Sequence, residues 1–462
     1  MEPLEGSTIS ILGLGASGVA AARLALFKGG EVYVSDRQVE PSAAASAAEL
    51  RNLGARVELG RHDLERVAAA DTVVVSPGIP PDSPVLQALQ AAGRRWISEP
   101  EFAFRFLHGP LIAVTGTNGK TTTAAMTAHL LKEAGFEVGL GGNIGAEFGP
   151  PVSALALRTP PPDWFVVEVS SFQLADVVEF NPTVGVLTNL APDHLDRYES
   201  LDAYYGDKGN LFRNASSGSR WVLNGDSAQV EELAGNAPGE RFRFSTRELE
   251  DVHDPEWAHA FLVGEELALR MPGEEIEFLL PRMSLPALGW HNTANALAAS
   301  LTARIAGSEA GNIARGLRAF RPLPHRLQPV GESGGLRWVN DSKATNVAAT
   351  VGALRSLEGP LVLLLGGKDK GEELAPLRDA LHGGVRGIVV YGEARNRLAQ
   401  ALEGMTRIQR VDGSFEDAVS AARALGVEGD ILLLSPACSS FDMFDNYVAR
   451  GERFAALARG ES

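Results

Sequence analysis

Residues 111 to 123 read Leu-Ile-Ala-Val-Thr-Gly-Thr-Asn-Gly-Lys-Thr-Thr-Thr. An apolar run suited to a buried strand passes into a glycine turn, and Lys120 and Thr121 stand where a helix would begin. In that order the elements form a cradle for nucleotide phosphates. Gly116 and Gly119 let backbone N–H groups approach a triphosphate, and the helix N-terminus adds its positive dipole. Lys120 is placed to meet the outer phosphates and Thr121 to offer a hydroxyl to Mg²⁺. Thr117, Asn118 and Thr122 complete the loop. The general pattern G-x-x-x-x-G-K-[ST] would put its leading glycine at 114, where this chain has Val114, so the loop is a specialised variant. The bland alternative is an ordinary glycine-rich turn, but Gly-Lys-Thr flanked by threonines seldom arises for packing alone. ATP or GTP is therefore an expected ligand.

Strand-like runs followed by alanine-rich, helix-like segments recur on both sides of this loop: 8–12, 31–35, 72–76, 164–169, 183–188, 361–365, 387–391 and 431–435. The alternation predicts α/β domains with largely parallel sheets. At 462 residues, about three domains are expected on a prior of roughly 150 residues each. Breaks at Leu107-His108-Gly109-Pro110 and Arg321-Pro322-Leu323-Pro324-His325 place the borders, giving domains 1–108, 109–323 and 324–462. Residues 236–282 lose the rhythm and read as short antiparallel strands and loops.

Apolar residues make up 45% and charged residues 22% of the chain, with no apolar run of the roughly 20 residues a membrane span needs. The acidic start and the single cysteine, Cys438, fit a cytoplasmic protein without an internal disulfide. Forty-two basic against 58 acidic side chains leave a formal charge of −16, which argues against a nucleic-acid surface. Anionic ligands then need local cations, and Arg37, Lys120, Arg326, Lys343 and Lys370 stand in or beside glycine-rich or Asx-rich turns.

Further motifs sit at strand ends. Gly13-Leu14-Gly15-Ala16-Ser17-Gly18 is a complete G-x-G-x-x-G, and Asp36-Arg37 ends the next strand. This suits a dinucleotide, but equally any nucleotide diphosphate. Ser76-Pro77-Gly78 closes another strand, as a ligand turn or merely a tight one. In the middle domain Glu168 opens Glu-Val-Ser170-Ser-Phe-Gln-Leu, a carboxylate at the end of a strand neighbouring the phosphate loop and suited to Mg²⁺. His194, in Asp-His-Leu-Asp-Arg-Tyr, ends a strand of the same rhythm, either as a site residue or as a surface cap. The third domain offers Pro324-His325-Arg326, then Asp341-Ser342-Lys343-Ala344-Thr345-Asn346, Gly366-Gly367-Lys368-Asp369-Lys370 and Ser435-Pro436-Ala437-Cys438-Ser439-Ser440. Capped helix starts explain each of these singly. Together they fit a crevice.

The whole constellation resembles the Mur ligase family, in its D-glutamate-adding branch, over essentially all 462 residues. The resemblance implies a Rossmann-like N-terminal domain that binds a uridine nucleotide, a central P-loop ATPase domain and a Rossmann-like C-terminal domain that receives the amino acid. It implies transfer of the γ-phosphoryl of ATP to the carboxylate of UDP-N-acetylmuramoyl-L-alanine, then attack by D-glutamate, giving an amide, ADP and phosphate in peptidoglycan precursor synthesis. Lys120 would act on the transferring phosphoryl. Thr121 and Glu168 would hold Mg²⁺, and His194 a second Mg²⁺. Gly15, Ala16, Ser17, Asp36, Arg37, Ser76, Gly78, Asn143 and Ser170 would bind the UDP substrate, and Asn292, Arg326 and Asp341 the adenine nucleotide. Lys343, Thr345, Lys370, Ser440 and Tyr447 would meet D-glutamate. The partners are these small molecules, with no nucleic acid or membrane, and a monomer is expected.

Lys208, in Ala-Tyr-Tyr-Gly-Asp-Lys, reads from the residues alone as an ordinary exposed lysine. The family implies that it is carbamylated by CO₂ and so becomes an anion near Mg²⁺. Asp207 stands where members often have alanine, and Tyr447 where they commonly have phenylalanine. Three alternatives stay open at this point. A sister ligase adding L-alanine would carry Gly-Thr-His-Gly-Lys where this chain has Asn118. A NAD-dependent dehydrogenase leaves Lys120 and Thr121 unexplained. A nucleotide-switch protein without ligase activity is the third.

Overall fold

The computed structural model of the protein describes residues 4–193, 197–248, 259–287, 289–357, 359–381 and 383–461. Among these the alternating pattern forms three sheets. The first has five parallel strands in the spatial order Arg56–Leu59, Glu31–Asp36, Thr8–Leu12, Thr72–Val75, Ile97–Ser98. Parallel strands are buried on both faces, which is why they read as unbroken apolar runs. Ile9, Ile11, Val32 and Val34 pack under the alanine-rich helix Ala16–Phe27. Leu12, Val73 and Val75 face Val85, Leu86 and Leu89 of the helix Pro84–Ala91. The chain runs outward on one side of Thr8–Leu12 and then crosses to its other side, so a crevice opens beyond that strand's carboxyl end.

The second sheet has nine strands, with the wholly buried Leu111–Thr115 lying between Val184–Leu187 and Trp164–Glu168, parallel to both. Residues 236–282 depart from the antiparallel expectation. Glu240–Glu248 pairs parallel with Arg220–Asn224, and Ala260–Val263 pairs parallel with Glu240–Glu248. For the first of these pairs the reason is the helix Ala228–Ala234, which carries the chain back across the sheet. Antiparallel pairing starts only where Gly264 and Glu265 join Ala260–Val263 to Glu266–Leu269, a turn too short for a crossover.

The third sheet runs Gln328–Ser333, Leu336–Asn340, Ile431–Leu434, Leu361–Gly366, Val385–Tyr391, Arg407–Arg410, parallel except for the first pair. Its two faces are covered separately, one by Val347, Val351, Leu354, Leu377 and Leu398, the other by Phe415, Val419, Ala422 and Phe454.

By contact the chain forms two compact units. One comprises the described residues of 4–190, 197–279 and 297–316, and the other those of 191–193, 280–296 and 317–461. Within the first unit, the helix Glu99–Phe104 fastens the first sheet to the second. The buried carboxylate of Glu101 accepts the backbone N–H groups of Val178, Glu179 and Phe180 at 2.8 to 3.1 Å, and Glu99 accepts that of Ser153 at 2.5 Å. Among the described residues no helix is long and apolar enough to cross a membrane.

Candidate active site

The phosphate loop takes its shape from its neighbours. Gly116 has φ +141°, and a Cβ there would lie 2.1 Å from Thr188 Oγ1, so only glycine fits. Gly119, at φ 84°, turns the chain into the helix Lys120–Glu133. The loop is laced to the strand beside it. Thr117 N–H donates to Asn189 O, Asn118 N–H donates to Asn189 Oδ1, and Thr188 Oγ1 and Asn189 Nδ2 donate to Asn118 O. Val114 is wholly buried and in register with Glu168 and Val186, so the position of the missing leading glycine belongs to the strand.

Lys120 Nζ donates to Gly116 O at 3.0 Å and Thr117 O at 2.8 Å, curling its charge over the loop. Thr121 Oγ1 donates to Glu168 Oε2 at 2.7 Å, both side chains buried, while Thr122 is buried behind them. A hydroxyl and a carboxylate side by side at a phosphate loop are the oxygen donors that Mg²⁺ takes beside nucleotide phosphates. They fit that ion. Among the described residues no cluster of three or more His, Cys, Asp or Glu side chains offers a cage made of protein alone. Asn143, exposed, donates its N–H to Glu168 O, and Ser170 caps the short helix Ser171–Ala175.

Lys208 overturns the reading of an exposed lysine. It is 1% exposed, its Nζ donates to Gly116 O at 2.9 Å, and it lies 4.4 Å from the ring centroid of Tyr204. The helix Leu201–Gly209, started by Ser200, turns this side chain into the floor of the loop, where Tyr204 OH donates to Thr117 Oγ1. No local sequence signal marks it, because the carbonyl it donates to lies on the phosphate loop, 92 positions away in the chain. His194 lies outside the described residues.

In the first sheet the candidate residues gather at the carboxyl ends of Thr8–Leu12, Glu31–Asp36 and Thr72–Val75. Asp36 accepts from Leu14 N–H at 2.6 Å and from Gln38 N–H at 2.8 Å, so its carboxylate braces the glycine turn. A Cβ on Gly18 would meet Gly13 O at 1.9 Å, which explains that glycine by close packing. Ser76 sits buried against Gly13, and Gly15, Ala16, Arg37 and Gly78 are exposed around the crevice, with Ser17 half-buried.

The second unit assembles its own set. Asp341 accepts from Leu327 N–H at 3.1 Å and Ser435 Oγ at 2.8 Å, and burial pushes its carboxyl up to about 7 against those bonds and the Arg326 charge. Arg326 stands between His325 and Leu327, both at positive φ, a costly backbone that marks a constrained turn. Asn292 accepts from Asn295 Nδ2. Beside it, His291 is pushed down to about 4, by burial first and by Arg326 second. Lys343 Nζ lies 3.8 Å from the ring centroid of Tyr447, and Thr345 N–H donates to Lys343 O. Lys370 is exposed at the end of its glycine loop, and Ser440 is buried.

In this unit Arg450 belongs to no sequence motif, and Asp193 stands in one only as a neighbour of His194; in the first unit Tyr204 stands in one only as a neighbour of Lys208. Arg450 is fully buried and bonds to three of the loops. Asp193 accepts from Asn346 Nδ2 at 3.0 Å, and Tyr204 underlies Lys208. An arginine among small residues on a helix gives no sign of burial in the sequence.

Comparison with known proteins agrees along the chain. The Mur ligase MurD-like N-terminal domain matches residues 7–98, the Mur ligase middle domain 114–303, and the Mur ligase glutamate ligase domain 325–438. A UDP-N-acetylmuramoylalanine–D-glutamate ligase of Geotalea uraniireducens is 40% identical over 452 residues, 98% of this chain and 97% of the relative. One of Salinibacter ruber is 40% identical over 456 residues, 97% of this chain and 96% of the relative. Among solved structures, MurF of Acinetobacter baumannii superposes with TM-score 0.63 at 17% identity, covering 93% of this chain and 90% of that one. The UDP-N-acetylmuramate-alanine ligase MurC of Thermotoga maritima gives 0.60 at 19% identity, covering 99% and 100%. At such identities the structures speak for the fold. With three family domains in order and 40% identity across nearly the whole length, this chain belongs to the Mur ligase family.

Proposed function

We propose that the protein is an ATP-dependent amide ligase that adds D-glutamate to UDP-N-acetylmuramoyl-L-alanine, acting as a cytoplasmic monomer in peptidoglycan precursor synthesis. The observation that carries the reading is the Thr121–Glu168 pair beside Lys120 on the glycine loop, in a chain 40% identical to D-glutamate ligases. A free carboxylate is a poor electrophile. Phosphorylation by ATP gives it a leaving group, and the amine of D-glutamate then displaces phosphate, forming the C–N bond as the acyl C–O bond breaks. Mg²⁺ held by Thr121 and Glu168 would supply charge neutralisation at the phosphates. Lys120, released from the loop carbonyls, carries a positive charge to the transferring group.

The residues at the first crevice, from Gly15 to Gly78, bind the UDP substrate together with Asn143 and Ser170. Asn292, Arg326 and Asp341 bind the adenine nucleotide, and Lys343, Thr345, Lys370, Ser440 and Tyr447 bind D-glutamate. A second Mg²⁺ is served by His194 and by Lys208 as its carbamate. The ammonium first gives up one proton; the neutral amine then adds to CO₂, an N–C bond forming as one C=O π bond opens, and a second proton leaves the nitrogen, so a cation becomes an anion. What supports a role for Lys208 at the phosphates is its place, buried with Nζ on Gly116 O of the loop, where an ammonium would repel a divalent ion and a carbamate would attract it.

A substrate matrix tests the reading. UDP-N-acetylmuramate and its L-alanyl form are each crossed with L-alanine, D-glutamate and L-glutamate, and ADP release is followed. Turnover is expected only with the L-alanyl form and D-glutamate. Turnover with UDP-N-acetylmuramate and L-alanine would make this the sister ligase, and turnover without any amino acid would make it a simple nucleotidase.

A further inference from the structure

Arg450 lies in the helix Tyr447–Ala458 and is fully buried. Its partners are all uncharged oxygens. Nε donates to Ser342 Oγ at 3.0 Å; Nη1 donates to Gly366 O at 3.4 Å, Cys438 O at 3.2 Å and Ser439 O at 3.4 Å; Nη2 donates to Ser342 O at 2.9 Å and Cys438 O at 3.2 Å. Burying a guanidinium against carbonyl and hydroxyl oxygens, with no carboxylate among the described residues bonded to it, is costly, and a helix that had only to cover a sheet would use an apolar side chain there. What the charge obtains is a junction of three loops that are far apart in sequence.

Those loops leave the carboxyl ends of three neighbouring strands, Leu336–Asn340, Leu361–Gly366 and Ile431–Leu434. The first carries Lys343 and Thr345, the second Lys370, the third Ser440. Each loop turns carbonyl oxygens onto the one planar fork, which fixes the orientation of their peptides. The same helix reaches the site through its first turn: Ser342 Oγ donates to Tyr447 O at 2.8 Å, and the Tyr447 ring underlies Lys343. Gly367 is pinned in this packing, since a Cβ there would lie 2.1 Å from Ser439 O and 3.1 Å from Arg450 Nη1.

We infer that Arg450 is a positioning residue for amino-acid binding: it sets the mutual placement of Lys343, Thr345, Lys370 and Ser440 without touching the substrate. The inference rests on the amino-acid role given above to those four. Lysine at 450 would keep the charge but present one nitrogen in place of a rigid fork, so it cannot hold three loops at once.

The test uses the full chain and steady-state ADP release with all three substrates. Arg450→Lys should raise KM for D-glutamate roughly tenfold or more, as expected when charge-assisted contacts are misplaced, and leave KM for ATP and for the UDP substrate within about twofold. Ser342→Ala deletes the acceptor of Nε and the bond to Tyr447 without emptying the buried site. It should shift the same constant in the same direction, and it decides the matter if Arg450→Lys fails to fold. A parallel rise in all three KM values with a lower melting temperature would overturn the inference and leave Arg450 a general strut. So would an unchanged KM for D-glutamate in a folded Arg450→Lys. If the unmutated protein uses another amino acid, the proposed substrate fails, and the same comparison with that amino acid still tests Arg450.

Discussion

Replacing Glu99 by glutamine should make the fold less sensitive to rising pH. The carboxyl group is 1% exposed where the first sheet meets the second; Oε1 accepts the Ser153 N–H, and Oε2 has no partner. Burial pushes Glu99 up from 4.5 to about 7, against hydrogen bonds from Ser153 and Val152 that pull it down. The folded chain therefore holds this proton more tightly than the unfolded one. The stability it contributes is fully present below about pH 4.5 and is lost as pH rises through about 7. Moving from 4.5 to about 7, at about 1.36 kcal/mol per tenfold change in proton affinity, makes the loss ~3 kcal/mol by pH 8. Glutamine keeps an oxygen for Ser153 and cannot ionise. Its advantage over the wild type should grow by about 2.5 kcal/mol between about pH 5 and pH 8, the remainder having been lost already below pH 5. Urea unfolding of both proteins at the two pH values, followed by tryptophan fluorescence, measures it. Any fixed cost of burying the amide is equal at both, so the slope decides. A pH-independent difference would refute the reasoning.

Lys120→Ala should lower turnover by at least about 10³-fold with the fold intact, because it removes the cation at the transferring phosphoryl. Near-normal phosphate release by the folded variant would remove Lys120 from the chemistry. Lys208→Ala should be almost inactive and partly restored by acetate or formate, which returns an anion beside Mg²⁺. Full activity without an added anion would eliminate the carbamate role.

What could be read from the chain alone was whatever has a local cause. The glycine loop at 111–123, the strand-to-helix rhythm and the turn motifs depend on residues a few positions apart, so the parallel sheets and the Thr121–Glu168 region were legible. The segment 236–282 was not: pairing direction depends on where a connection lands, and the helix Ala228–Ala234 lands it parallel. Lys208 read as a surface lysine since nothing in the sequence says that the face of the helix it shares with Tyr204 turns inward. It is buried by Gly116 and Tyr204, the first of them 92 positions away. Arg450 was invisible for the same reason, its carbonyl partners lying on loops 11 to 108 positions off. Local order follows from propensity and periodicity. The placement of a buried charge depends on long-range packing, which only the folded chain decides.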